Sequence, residues 1–492
     1  MNVMIKLRDF SVRYPGNPNP ALNDLSLGVE PGESVLVTGP SGSGKSTLAL
    51  CITGFIPHAV YADTKGNITV NGVNPQEAGV YELAQFAGLV QQDPEGQFCT
   101  MRVRDEIAFG PENLLCTPEE VISRVNWALD AVGASHLKDR PLTHLSGGEK
   151  QRIALAAVLA MKPKLLIVDE PTAHLDPRAT ASLLKLFQDL QSQSDLSLMI
   201  LEHKPWRFKD IATRVIELKD GTVTKNVPAY DVFPPRRKQP RTSRYGDGRR
   251  ELLLNVECIT QRYDKRTVLH DVSFQVQSGK IVGIMGDNGS GKTTLLLSVM
   301  GLIRPERGKV WLRNKDISAL PVSTRARDIG MTFQNPNHQL FADCVWREVV
   351  TGPLVQGVAE DECRVQAERL LESFGLPEFR DRHPLTLSFG QKRRLNLAAV
   401  MVSNPSVLLL DEPFIGQDRA SADNIILLLE QIASLGKGIV LVGHDPDLMA
   451  ECCDRLIFME DGQITVDAQT EEAFRELERR GEYDYLPSWW GA

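Results

Sequence analysis

Gly39-Pro40-Ser41-Gly42-Ser43-Gly44-Lys45-Ser46 and Gly286-Asp287-Asn288-Gly289-Ser290-Gly291-Lys292-Thr293 share the spacing G-x-x-x-x-G-K-[ST] and stand 247 residues apart. Each follows a short apolar run, Ser34-Val35-Leu36-Val37 in one case and Ile281-Val282-Gly283-Ile284-Met285 in the other. Further pairs keep the same order at nearly the same offset: Gln92 and Gln334, Ser146 and Ser388, and Asp169 and Asp411 at 242, His203 and His444 at 241. Motifs that recur in register mark an internal duplication, so the 492-residue chain is read as one unit written twice. The drop from 247 to 242 has a local cause, since the glycine-bounded stretch 54–66 spans 12 steps where 301–308 spans 7. A loop absorbs such an insertion at small entropic cost.

Within each copy the pattern is strand, glycine loop and helix, then a polar helix-rich middle, then an apolar run ending in acids, then a strand before a His. Lys164-Leu165-Leu166-Ile167-Val168 and Val407-Leu408-Leu409-Leu410 read as fully buried strands of a parallel sheet. The predicted fold class is therefore α/β, twice over. Hydrophobic residues at 42% and charged residues at 24% fit well-filled cores and exclude wholesale disorder. No apolar stretch reaches the roughly 18 residues that cross a bilayer, and Met1-Asn2-Val3-Met4-Ile5-Lys6 lacks the layout of a secretion signal. A net charge of −8 argues against a surface devoted to nucleic acid, and no nucleic-acid partner is expected. None of the 8 cysteines falls in a C-x-x-C pair, so they are expected to be buried thiols in a reducing cytoplasm.

The glycine motif between a strand and a helix is a phosphate cradle, because glycines let backbone N–H groups approach phosphate oxygens and a helix N-terminus adds positive potential. The nucleotide-binding residues are then Gly39, Pro40, Ser41, Gly42, Ser43, Gly44, Lys45, Ser46 and Thr47, with Gly286, Asp287, Asn288, Gly289, Ser290, Gly291, Lys292, Thr293 and Thr294 in the second copy. Lys45 and Lys292 reach the β- and γ-phosphates, and the hydroxyls of Ser46 and Thr293 bind Mg²⁺. In Asp169-Glu170-Pro171 and Asp411-Glu412-Pro413 the first acid holds the magnesium shell, and the second accepts a proton from water. Leu145-Ser146-Gly147-Gly148-Glu149 precedes a helix-forming run, 150–161, and offers amides to an anion at a helix start.

Taken together these pieces resemble the ATP-binding cassette (ABC) ATPases, over almost the whole chain and in two copies. The resemblance implies two tandem P-loop NTPase domains, each with a helical signature subdomain: 1–227 and 251–480, a basic proline-rich linker at 228–250, and an aromatic tail at 481–492. It implies ATP and Mg²⁺ as cofactors. Gln92 and Gln334 look like the glutamines that contact magnesium and the attacking water, and His203 and His444 like the histidines that touch the γ-phosphate. Tyr14 and Tyr263 resemble the aromatic that stacks on adenine. Ser146 and Gly148, and Ser388 and Gly390, resemble the signature residues that close on the nucleotide of the other cassette, so the two cassettes would pair within one chain. Asp176 and Asp418 sit where the family bridges its cassettes. The second signature, Leu387-Ser388-Phe389-Gly390-Gln391, carries Phe in place of a glycine and would face the Lys45 site. Both sites are expected to bind ATP, with the Lys292 site hydrolysing at least as fast.

Local features narrow the resemblance. Asp93-Pro94-Glu95-Gly96-Gln97-Phe98, the stretch 103–113, Asn335-Pro336-Asn337-His338-Gln339-Leu340-Phe341 and Gly54-Phe55-Ile56-Pro57-His58 look like the ATPase of energy-coupling factor (ECF) importers, in its fused two-cassette form. This implies a peripheral subunit on the cytoplasmic face of the cell membrane. Its partners would be a membrane coupling subunit, docking on 95–113 and 337–353, and a substrate-binding membrane subunit. Thiamine precursor, another vitamin, cobalt and nickel stay open as cargo. Two other tandem families are also similar. One is the sugar-importer ATPase, whose second phosphate loop is typically degraded, unlike 286–293. The other is the soluble cassette pair acting on ribosomes, whose charged helical arm the proline-broken linker does not provide. The tail from Tyr483 to Ala492 is dense in aromatics and could dock on the body or on a partner; fraying is the default for a chain end, and the sequence leaves its role open.

Overall fold

The computed structural model describes residues 3–173, 175–193, 195–203, 205–232, 251–263 and 266–490. The chain separates into two compact units, Met1–Pro234 and Pro235–Ala492. The first contains β1 (Ile5–Arg13), β2 (Leu22–Val29), β3 (Ser34–Thr38), β4 (Asp63–Val70), β5 (Ala87–Val90), β6 (Leu165–Asp169), β7 (Ser197–Leu201), β8 (Arg214–Lys219) and β9 (Thr222–Pro228). One sheet is antiparallel, in the order β2-β1-β4, and the other runs β5-β6-β7-β3-β8-β9, parallel except for its edge strand β9.

β6 and β7 are buried along their whole length, as a parallel strand covered on both faces must be. Side chains alternate across a strand, and here the alternation divides the interior in two. Leu166, Val168, Leu198 and Ile200 enter a core with the helices Val103–Asn113, Pro118–Ala131 and Gly147–Ala160. Leu165, Ile167, Met199 and Leu201 enter another with the antiparallel sheet and the helix Lys45–Ile52. The polar, helix-rich middle of the sequence is thus a helical layer on one face of the sheet.

The second unit repeats this plan with β10 (Leu252–Tyr263), β11 (Arg266–Gln277), β12 (Ile281–Gly286), β13 (Arg307–Leu312), β14 (Lys315–Asp316), β15 (Ile329–Thr332), β16 (Val407–Asp411), β17 (Gly438–Val442), β18 (Arg455–Glu460) and β19 (Gln463–Gln469). Its sheets are β11-β10-β13-β14 and β15-β16-β17-β12-β18-β19. Leu408, Leu410, Ile439 and Leu441 face one core, and Val407, Leu409, Val440 and Val442 the other.

The start of the linker differs from the sequence reading, and the tail takes one of the alternatives left open for it. β9 continues to Pro228 and Ala229 is buried in the first core, so the start of the expected linker is packed structure; residues 233–250 lie outside those described. Residues 483–490 of the tail, which the sequence leaves open, dock on the body of their own unit. Tyr485 is fully buried, with its ring edge-on to Phe458 at 4.7 Å and its hydroxyl donating to the Asp287 carboxylate. Ser488 donates from its amide and its hydroxyl to Asp447 Oδ1 at 2.8 and 3.0 Å, and Trp490 rests 5.7 Å from Phe474. A tail dense in aromatics has enough apolar area to offset its ordering entropy. Tyr485→Ala is expected to cost about 3–5 kcal/mol, as other large buried aromatics do. Urea unfolding of the full chain, followed by tryptophan fluorescence, checks this; a loss under about 0.5 kcal/mol is what a dispensable tail would give.

Candidate active sites at the strand ends

In an open α/β sheet, ligands bind beyond the carboxyl ends of the parallel strands. The order β5-β6-β7-β3 puts four such ends side by side in the first unit. Gln92 follows β5, Asp169 and Glu170 end β6, His203 follows β7, and the glycine loop follows β3. The second unit places Gln334, then Asp411 and Glu412, then His444, then its glycine loop on β15-β16-β17-β12. Residues scattered over more than a hundred positions are gathered by strand adjacency alone.

Each glycine loop wraps a buried lysine. Lys45 Nζ donates to Gly39 O and Pro40 O at 2.9 and 3.1 Å, and Lys292 Nζ to Gly286 O and Asp287 O at 2.9 and 2.7 Å. The loop requires left-handed backbone just before the helix: Gly44 has φ 101°, and a Cβ there would lie 2.5 Å from Ala21 O. In the first unit, His203 Nε2 is 2.7 Å from Glu170 Oε1, and its Nδ1 is 3.0 Å from Gly39 O. Gln92 Nε2 donates to Glu170 Oε2 at 2.7 Å. In the second, His444 Nε2 is 2.7 Å from Glu412 Oε1, and Thr293 Oγ1 donates to Asp411 Oδ2 at 2.9 Å. Glu170 and Glu412 both hold positive φ, 48° and 52°, conformations that cost energy outside glycine and gather at functional sites.

Burial sets the electrostatics. It pushes the Asp169 carboxyl up to about 6 against the hydrogen bond from Ser46, and Asp411 likewise to about 6. Burial would also raise Glu412, but His444, Lys292 and Arg393 outweigh it and hold this carboxyl below the ordinary range. Burial pulls the His203 imidazole down, yet the hydrogen bond and charge of Glu170 win and raise it.

These residues fit a nucleotide phosphate and a divalent cation. Ser43 Oγ in the first loop and His444 Nδ1 are buried without a hydrogen-bond partner among the described residues. Asp169 and Asp411 are buried carboxylates that a cation would relieve. A cavity of about 510 Å³ opens over the first loop, and Tyr14, Lys45, Ser46, Gln92, Glu170 and His203 are among its walls. Tyr14 lies with its hydroxyl 3.1 Å from Thr47 Oγ1, whereas Tyr263 ends β10 and is 45% exposed.

The signature residues lie elsewhere in their own units. Ser146 and Ser388 cap the helices Gly147–Ala160 and Phe389–Met401 in capping boxes with Glu149 and Gln391, and Ser146 and Gly148 do not line the first cavity. Asp176 and Asp418 accept from Ala179 N and Ser421 N, each at 2.8 Å, at the starts of Pro177–Gln193 and Arg419–Ser434. The cysteines are mixed: Cys51, Cys363, Cys452 and Cys453 are buried, but Cys99 and Cys258 are exposed.

Sequence reasoning missed the residues that shape the loops after Gln92 and Gln334. Gln97 Oε1 accepts from Gln91 N at 3.1 Å and Gln339 Oε1 from Phe333 N at 3.1 Å. Buried Glu106 accepts from Cys99 N and Thr100 N at 3.0 and 2.8 Å, and buried Glu348 from Phe341 N and Ala342 N at 3.0 and 2.8 Å. Both pairs obey the 242 offset, which was the signal available. Beside the second loop a groove of about 580 Å³ runs past Gln339, Phe341, Glu348 and Val355, with Phe341 73% exposed.

Comparison with known proteins matches residues 22–173 and 269–415 to the family described as ABC transporter. A Bacillus subtilis protein provisionally named HMP/thiamine import ATP-binding protein YkoD is 32% identical, over 96% of this chain and 92% of its own. A Methanosarcina mazei protein, provisionally named an ABC transporter ATP-binding protein, is 31% identical over 99% of this chain and 93% of its own. Among solved structures, the complex of archaeal ribosomal stalk protein aP1 with the ribosome recycling factor aABCE1 aligns over 96% of this chain and 92% of that one. Its TM-score is 0.66 at 21% identity, a likeness of fold alone.

Proposed function

This chain belongs to the ABC transporter family of ATPases, matched in both units, and we propose that it is the motor subunit of an ECF-type importer. ATP hydrolysis would drive uptake of a vitamin or metal ion through separate membrane subunits, a coupling protein and a substrate-binding protein. The observation that carries the reading is the repeated strand-end constellation together with exposed apolar side chains beside both glutamine loops, Met101 and Phe341 at 75% and 73% exposure. No helix among the described residues is long and apolar enough to cross a membrane, so a membrane step needs a partner. The HMP/thiamine import name of the Bacillus subtilis relative supports import and points first to the pyrimidine precursor of thiamine.

In this reading Lys45 and Lys292 bind phosphate with the amides of their loops. Ser46, Asp169 and Gln92, and Thr293, Asp411 and Gln334, hold Mg²⁺, which neutralises phosphate charge when bound. Glu170 and Glu412 accept the proton of the attacking water. His203 and His444 keep those carboxylates aimed, and the signature residues Ser146, Gly148, Ser388 and Gly390 offer donors to phosphate oxygens. Tyr14 and Tyr263 stack on the base. The segments 95–113 and 337–353 receive the coupling subunit.

Met101→Asp with Phe341→Asp tests the partner surface by placing two charges where an apolar contact is expected. Fractionation of cells should move most of the chain from membranes to the soluble fraction and abolish uptake. Retention on the membrane would contradict docking at these segments.

A further inference from the structure

The two units tie their glutamine loops to their hydrolytic carboxylates in different ways. In the first, the Gln92 side chain bonds Glu170 directly at 2.7 Å. In the second, no bond joins the Gln334 side chain to Glu412 among the described residues. The position 242 residues after Gln151 is instead Arg393, 2% exposed. From the helix Phe389–Met401 its guanidinium donates through Nη1 to Glu412 O at 2.7 Å and through Nη2 to Gln334 O at 2.6 Å, with Nη1 also 3.5 Å from Asp411 O. Its charge centre lies 5.4 Å from the Phe389 ring, the residue that replaces a signature glycine.

We propose that Arg393 is a positioning residue of the second site, a buried clamp that joins the glutamine-loop backbone, the Glu412 backbone and the first turn of the signature helix. Two charge-assisted bonds from one planar fork fix the separation of two carbonyls, which a neutral or single-point donor does not reproduce. The neighbouring changes fit the same rebuilding: a Cβ at Gly390 would meet Gln417 Oε1 at 3.1 Å, where the first unit has Leu175 instead of Gln417. Displacing the loop at Gln334 therefore displaces Glu412 by a backbone route, so that occupancy of the adjoining groove is felt at the carboxylate. Arg393 remains strongly basic here; burial lowers its guanidinium to about 10, still a cation at neutral pH.

The inference rests on Glu412 acting as the base of a hydrolytic site. The test uses the full chain with Glu170→Gln, so that turnover reports on the second site. Adding Arg393→Gln, the residue present in the first unit, should lower kcat about tenfold while KM and the affinity for a fluorescent ATP analogue stay within about twofold. The thermal transition should survive, and Arg393→Lys should not restore kcat. Unchanged kcat, full rescue by Arg393→Lys, or loss of kcat and nucleotide affinity together with the thermal transition would each overturn the clamp. A Glu170→Gln parent with no turnover would overturn the reading of Glu412 and the clamp with it.

Discussion

A chain carrying both Glu170→Gln and Glu412→Gln is expected to hydrolyse ATP about 10²–10⁴-fold more slowly while still binding it, because glutamine keeps the shape and loses the proton acceptor. The geometry makes these carboxylates the sensitive points. Each sits at the end of a buried strand in a positive-φ conformation, and each has a histidine nitrogen 2.7 Å away. Phosphate release and binding of a fluorescent ATP analogue separate the two effects. Of the single variants, Glu412→Gln should lose at least as much turnover as Glu170→Gln, and a much larger loss from Glu170→Gln would contradict that ranking. Loss of nucleotide binding in the double variant would instead assign these acids to structure.

Lys45→Ala and Lys292→Ala are expected to act earlier, on binding. Both ammonium groups are buried at the centre of their loops, at 5% and 6% exposure, and each already spans two loop carbonyls. A phosphate held by a buried cation and converging amides loses a charge-assisted partner in each variant. Affinity for ATP at the altered site should fall about 100-fold. Titration of each variant with the fluorescent analogue counts the remaining tight sites: one is expected in either single variant and none in the double. Two tight sites in either single variant would show that the altered loop does not hold phosphate through its lysine.

Much of the architecture was legible because repetition and hydrophobic runs report it directly. The runs before Lys45, Lys292, Asp169 and Asp411 became strands buried throughout, apart from Thr38 at the end of β3. The gathering of Gln92, Glu170 and His203 was inferred from family resemblance and is explained by strand order, a property no local pattern carries. Arg393 was invisible because its meaning lies in two backbone carbonyls, of Gln334 and Glu412, that sequence does not mark as acceptors. The docking of the tail stayed open for a related reason. Tyr485 looks like a terminal aromatic until the helix Thr470–Arg479 returns it to Phe458 and the second glycine loop. Gln97, Gln339, Glu106 and Glu348 stood in register across the two copies, yet a buried loop-forming side chain and an exposed one look alike in sequence.

The central claim, a two-site ATPase that serves a membrane importer, is tested most directly by isolating the chain from solubilised native membranes at moderate salt and identifying what accompanies it. The account predicts a polytopic coupling protein and a separate substrate-binding membrane protein, both released by Met101→Asp with Phe341→Asp. Recovery of ribosomes with no membrane protein would contradict it.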